Sequence, residues 1–219
     1  MPTAVIIGDS HVDDWSPFGS RLAKNLKAAG YDVTKLGVGA TSTGSWAYGQ
    51  ACRPGKSKCV DVETQVPKGA DLLLICLGTN DAANAQAAKS DRAAAAAKTA
   101  ERISAMASKY GAKRTIWILP PWQRGSMKHY TQDAMEFLYA AAPQAEGVEL
   151  FDSRPSTEAL VKGGSGDGVH PTGKSANAWA DAIVKQVQEG GGSSISPVLI
   201  AGGMVAFAAL LALRRRRTA

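Results

Sequence analysis

Five short apolar runs, at residues 4–8, 33–38, 72–77, 115–119 and 148–151, alternate with longer helix-patterned stretches. Each run is too short for a helix and is mostly apolar. Each therefore reads as a strand buried on both sides. Helices are expected at 17–29, with Ser16 as cap and Gly30 as terminator, at 91–110 before Gly111, at 127–142 before Pro143, and from 171 or 172 to about 188. Alternation of this kind predicts a three-layer α/β/α domain around a five-stranded parallel sheet. Residues 40–70 break the rhythm and read as a long polar, glycine-containing loop.

In open parallel sheets, binding groups gather at the carboxyl ends of the strands. The residues just after each run are therefore the informative ones. The first run leads into GDSH (8–11), the second into GVGAT (37–41), the third into GTND (78–81), and the fifth, after a short excursion, into DGVHP (167–171). Acyl transfer needs a nucleophile, a base, a carboxylate to orient the base, and donors for the oxyanion. Ser10 fits the nucleophile, His170 the base and Asp167 the orienting carboxylate, since three residues on a turn can bring a carboxylate to an imidazole nitrogen. The Ser10 amide, a backbone amide near Gly39 and the Asn80 side chain supply oxyanion donors. The chain contains no GxSxG elbow and no phosphate-cradling loop. Trp46, Tyr48 and Trp122 are candidate pocket walls.

The four blocks, in this order across some 190 residues, resemble the SGNH/GDSL hydrolase superfamily. The resemblance implies a flavodoxin-like fold and a metal-independent, cofactor-free serine esterase or lipase. It implies Ser10, Asp167 and His170 as the catalytic set, and Ser10, Gly39 and Asn80 as the oxyanion hole. Two positions depart from the usual pattern. Ala40 stands where many relatives have glycine, so the second backbone donor is the amide of Gly39, which is preferred, or that of Ala40. His11 replaces the familiar leucine after the serine, and either lines the pocket or caps the helix. The substrate is expected to be an ester, with a small acyl group on an envelope glycan favoured. The alternatives are a lipid or thioester substrate, or a glycan-binding or virion structural protein with a vestigial site.

Charge argues against nucleic acid as a partner. The chain has 25 Lys and Arg against 19 Asp and Glu, but four of the 25 are the arginines at 214–217, leaving 21 and a near-neutral remainder. Those arginines follow an uncharged stretch at 190–213, whose segment 197–213 is almost wholly apolar. Seventeen residues as a helix reach roughly 25 Å, just long enough to span a hydrocarbon core. The chain thus divides into a hydrolase domain (1–189), a Gly/Ser-rich linker (190–196), a C-terminal transmembrane helix (197–213) and a basic tail (214–219). The lipid bilayer is an expected partner, contacted by a single pass.

The side of the membrane stays open. The positive-inside rule puts the arginines in the cytoplasm and the domain outside, yet MPTAVIIGDS has none of the regions of a secretory signal peptide. A tail anchor, delivery in a virus particle and a processed signal all fit. Cys52 and Cys59 bound the loop ACRPGKSKC and are either a small disulfide, worth about 2–3 kcal/mol and implying an oxidising space, or two free thiols. Cys76 lies within an apolar run and reads as core.

Overall fold

The structure is a computed structural model that describes residues 1–190. The linker beyond residue 190, the apolar run 197–213 and the basic tail lie outside the described residues. Among those described, no helix is long and apolar enough to cross a membrane.

The five apolar runs form one sheet. Its strands are β1 (Thr3–Gly8), β2 (Asp32–Gly37), β5 (Leu72–Cys76), β6 (Arg114–Ile118) and β9 (Glu149–Phe151). They are all parallel and lie in the order β2-β1-β5-β6-β9. Counting sheet strands alone this is 2-1-3-4-5, the doubly wound order whose direction reverses between β1 and β5. The blocks GDSH and GTND therefore leave the sheet on either side of the reversal, where such sheets open a crevice.

Alternate residues feed two cores. Ala4, Ile6, Leu72, Leu74 and Cys76 point to one face, covered by α1 (Pro17–Ala28) and α7 (Gly173–Gln188), where Phe18 stacks on Trp179. Val5, Ile7, Leu73, Ile75 and Trp117 point to the other, under α2 (Thr43–Tyr48), α4 (Arg92–Tyr110) and α5 (Gln132–Ala141). Ser16 caps α1 and Asp91 caps α4 through side-chain oxygens that accept N–H groups of the first turn. A helix layer on each side completes the three-layer arrangement.

The expected loop at 40–70 is more ordered than its composition indicates. It contains α2 and an antiparallel pair, β3 (Gln50–Cys52) and β4 (Cys59–Asp61). Cys52 and Cys59 sit opposite each other in this hairpin and are joined by a disulfide, while Cys76 is a buried free thiol. Val60, Val62 and Val66 pin the segment to the core.

The helix expected at 127–142 begins only at Gln132, capped by Thr131. The residues before it form a small hairpin, β7 (Arg124–Met127) with β8 (Tyr130–Thr131). GTND opens a helix, α3 (Thr79–Ala87), and the excursion before Asp167 holds α6 (Arg154–Lys162).

Candidate active site

Ser10 occupies the turn that carries the chain from β1 towards α1. Its Oγ lies 2.8 Å from His170 Nε2, and His170 Nδ1 lies 2.8 Å from Asp167 Oδ2. The three-residue spacing works because Asp167 folds back on its own loop. Its Oδ1 accepts the backbone N–H groups of Val169 (2.8 Å) and His170 (2.7 Å), which leaves Oδ2 for the imidazole. A carboxylate can only accept, so Nδ1 carries the ring proton and Nε2 presents a lone pair to the serine hydroxyl. This tautomer can take a proton from Ser10.

Electrostatics favour the same state. Burial lowers the His170 pKa below its ordinary 6.5, and the nearby His11 adds to that effect against the opposing pull of Asp167. The ring is therefore a free base at neutral pH. Burial alone would raise the Asp167 pKa, but the His170 and Val169 N–H groups and the imidazole together bring it down to about 2.

Asn80 begins α3 beside this trio. Its Oδ1 accepts the Tyr130 hydroxyl at 2.8 Å, which fixes the carboxamide the right way round. One N–H of Nδ2 donates to the Thr41 carbonyl at 2.8 Å, and Nδ2 otherwise reaches only Asp9 Oδ2 at 3.5 Å. A second N–H is thus weakly held. The Ser10 backbone N–H donates to no acceptor among the described residues.

Gly39 departs from the expectation of a free donor. Its N–H donates to Asp13 Oδ2 at 2.7 Å, and the same buried carboxylate takes the Arg53 guanidinium and, at 2.8 Å, the Lys58 ammonium. Burial opposes the charge on Asp13, but these three donors hold its carboxyl well below the usual carboxylate range. Both cations sit between the bridged cysteines. The neighbouring Ala40 is exposed at φ 63°.

Of the expected pocket walls, Trp46 is fully buried and donates through Nε1 to Thr41 Oγ1 at 3.0 Å, supporting the residue whose carbonyl holds Asn80. Tyr48 is exposed, and Trp122 lies under the Lys162 ammonium. The aromatic residue at the site is instead Trp15, 54% exposed, with its ring edge-to-face against His170 at 5.1 Å. Asp81 is structural: its carboxylate, 6% exposed, accepts the backbone N–H and hydroxyl of Thr43.

Three contributors were missed in the sequence. Asp13 and Trp15 follow Ser10 closely, and Arg53 and Lys58 in ACRPGKSKC were the available hint that a buried carboxylate near Ser10 has partners. The third is the β7–β8 hairpin. Arg124 N–H donates to Gly168 O at 2.9 Å, Arg124 Nη2 to Gly166 O at 3.2 Å and Ser126 Oγ to Asp167 O, while Tyr130 reaches Asn80. It braces the Asp167–His170 loop and Asn80 together. Among the described residues, no cluster of His, Cys, Asp and Glu could hold a metal ion.

A model of the GDSL-like Lipase/Acylhydrolase family matches residues 6–177. Several solved structures share the fold. The lipase/acylhydrolase from Enterococcus faecalis aligns at 17% identity and a TM-score of 0.59, covering 86% of this chain and 96% of its own. An acetylxylan esterase from Geobacillus stearothermophilus aligns at 14% identity and 0.59, covering 85% and 94%. An alpha/beta hydrolase enzyme from the metagenome of Lake Arreo, Spain, aligns at 15% identity and 0.59, covering 85% and 95%. At such identities the likeness establishes the fold. No curated protein matches the sequence.

Proposed function

Since the chain belongs to the GDSL-like lipase/acylhydrolase family of ester hydrolases, we propose that Ser10, His170 and Asp167 are its catalytic groups and that it removes small acyl groups from a glycan. The observation that carries the assignment is the unbroken hydrogen-bonded chain from Asp167 through His170 to Ser10. Ser10 Oγ attacks the ester carbonyl while His170 Nε2 takes its proton. Asp167, ionised down to about pH 2, stabilises the imidazolium that forms. The tetrahedral oxyanion is received by the Ser10 N–H and the weakly held N–H of Asn80. The Gly39 N–H joins them only when it leaves Asp13. His170 then protonates the departing alcohol, leaving acyl-Ser10, and activates the water that releases the acid.

A small acyl group on a sugar is supported by the half-exposed Trp15, whose indole can offer a face to a pyranose beside His170. The acetylxylan esterase of the same fold is named for an ester of this kind. The uncharged stretch 190–213 with its arginines supports a membrane tether for the domain. Resistance of the full chain to alkaline extraction from membranes tests that part.

The catalytic proposal is tested with the full chain, a fluorophosphonate probe and p-nitrophenyl esters. Expected are stoichiometric labelling, a burst with the acetate and preference for the acetate over the decanoate, with Ser10→Ala losing both label and burst. A wild-type protein that neither labels nor hydrolyses overturns the catalytic set, and preference for the decanoate overturns the small-acyl reading. Because His170 must be unprotonated, kcat/KM should rise with pH through a limb centred below 6.5.

A further inference from the structure

His11 is 3% exposed, and both of its ring nitrogens meet acceptors. Nδ1 lies 2.9 Å from Asp9 Oδ1, and Nε2 lies 3.0 Å from the Val169 carbonyl oxygen. A carbonyl has no proton to give, so Nε2 donates. Asp9 Oδ1 also accepts the His11 backbone N–H at 3.0 Å, and Asp9 Oδ2 faces the Asn80 amide. With Nε2 donating, Nδ1 faces an Asp9 oxygen that already accepts a backbone N–H, and it donates there as well. The count leaves two protons on one buried ring.

The two acceptors matter for what they adjoin. Asp9 immediately precedes Ser10, and the Val169 carbonyl belongs to the peptide that leads into His170. We propose that His11 is a buried imidazolium that acts as a positioning residue, bolting the turn that carries Ser10 to the peptide that carries His170. The proposal rests on the catalytic reading above. A leucine at this place could make neither bond.

Charge gives the bolt a second consequence. The ring centroids of His11 and His170 are 5.2 Å apart, so a fixed cation on the first opposes protonation of the second. Burial works against charge on His11, but the Asp9 carboxylate and the Val169 carbonyl outweigh it and its pKa is raised. The titratable groups around the ring are Asp9 from the end of β1 and Asp167 and His170 from the loop before α7. From α7 itself the uncharged Trp179 packs edge-on at 5.5 Å.

Two measurements on the full chain decide the matter. Nitrogen-15 NMR of the histidine rings at about pH 7.5 should show both His11 nitrogens protonated, and one bare nitrogen overturns the proposal whether or not the protein hydrolyses esters. His11→Gln keeps a donor of similar size without the charge. It should lower kcat about 10- to 100-fold with little change in KM. It should also move the acid limb of kcat/KM upward by on the order of one pH unit. A merely structural role would leave that limb in place, so a folded variant with an unmoved limb and full rate also overturns the proposal. Should the variant not fold, the ring measurement on the wild type decides. Absence of all esterase activity in the wild type would remove the catalytic reading and leave the bolt to be judged by NMR.

Discussion

The two flanks of the Ser10–His170 contact are built from different materials. On the nucleophile flank, the buried Asp13 takes the Gly39 amide and two cations, and those cations stand on a hairpin closed by the Cys52–Cys59 disulfide. On the base flank, the Asp167–His170 loop hangs on hydrogen bonds from β7, a strand exposed along its whole length, and on the single inward bond from His11. Asp13 is buried, so the bonds that its carboxylate accepts are shielded from water, whereas the Arg124 and Ser126 bonds to the base loop are open to it. The nucleophile is thus fixed by the fold, whereas much of the bracing of the base is solvent-exposed and is expected to open without unfolding the domain. A serine that must meet oxyanion donors tolerates little movement. A histidine that shuttles protons among serine, leaving group and water tolerates more.

The sharpest way to break this contrast is one substitution made on each flank. At Gly37 a Cβ would lie 2.3 Å from the Val12 carbonyl carbon and 2.4 Å from the Asp13 nitrogen, both backbone atoms of the Ser10 turn. At Gly166 it would lie 2.0 Å from the His170 carbonyl oxygen, at φ +69°. Gly37→Ala should cost about 3 kcal/mol or more and leave little folded enzyme. Gly166→Ala should lower kcat/KM about 100-fold while the urea midpoint barely moves. Equal loss of stability in both would mean that the base flank is no softer than the other.

The same contrast explains what the sequence revealed. The inner strands β1, β5 and β6 were legible because strands buried on both faces must be largely apolar. The half-buried edge strands β2 and β9 were legible through a few apolar residues each. The chemistry was legible because it sits where those runs stop. Asp167 and His170 were legible as a pair because an Asx turn needs only three local residues. The bracing was not. The β7 residues Arg124–Met127 are all exposed, so no apolar alternation marks them as a strand. Thr43 at the start of α2 is held by Asp81, 38 residues away, and a remote cap leaves no local signature. At Gly39 the motif indicates a donor, but only the fold shows Asp13 already on it. Local physics marks the groups that react, while the contacts that hold them join distant segments.

A smaller effect is expected from Asp13→Asn, which keeps the shape of the side chain and removes the charge. Arg53, Lys58 and the Gly39 amide would lose a charge-assisted acceptor, for about 2 kcal/mol of stability at neutral pH. The sign with pH is fixed. The Asp13 pKa is lowered from 3.8 in the folded state, so its contribution is complete above that value and fades as pH falls below it. Denaturation midpoints of wild type and variant should therefore converge in acid. A gap that stays constant with pH would mean that the carboxylate charge is not what binds the nucleophile flank together.

The smallest effect concerns the residue through which the brace reaches Asn80. Tyr130 stands on β8, and its hydroxyl meets Asn80 Oδ1, at the start of the helix on the β5 side of the crevice. Tyr130→Phe leaves the ring in place and removes that bond. The Asn80 carboxamide would then be held through the Thr41 carbonyl and the long contact to Asp9, and the N–H assigned to the oxyanion would be less well aimed. A hydrogen bond worth about 1 kcal/mol corresponds to about a fivefold fall in rate, well short of the 10²–10³ expected for Asn80→Ala. The loss should appear in kcat and leave KM nearly unchanged, because the donor acts on charge that develops only in the transition state. A rise in KM at constant kcat would instead place Tyr130 in ground-state substrate binding, and the hairpin would then be a wall of the site and not its brace.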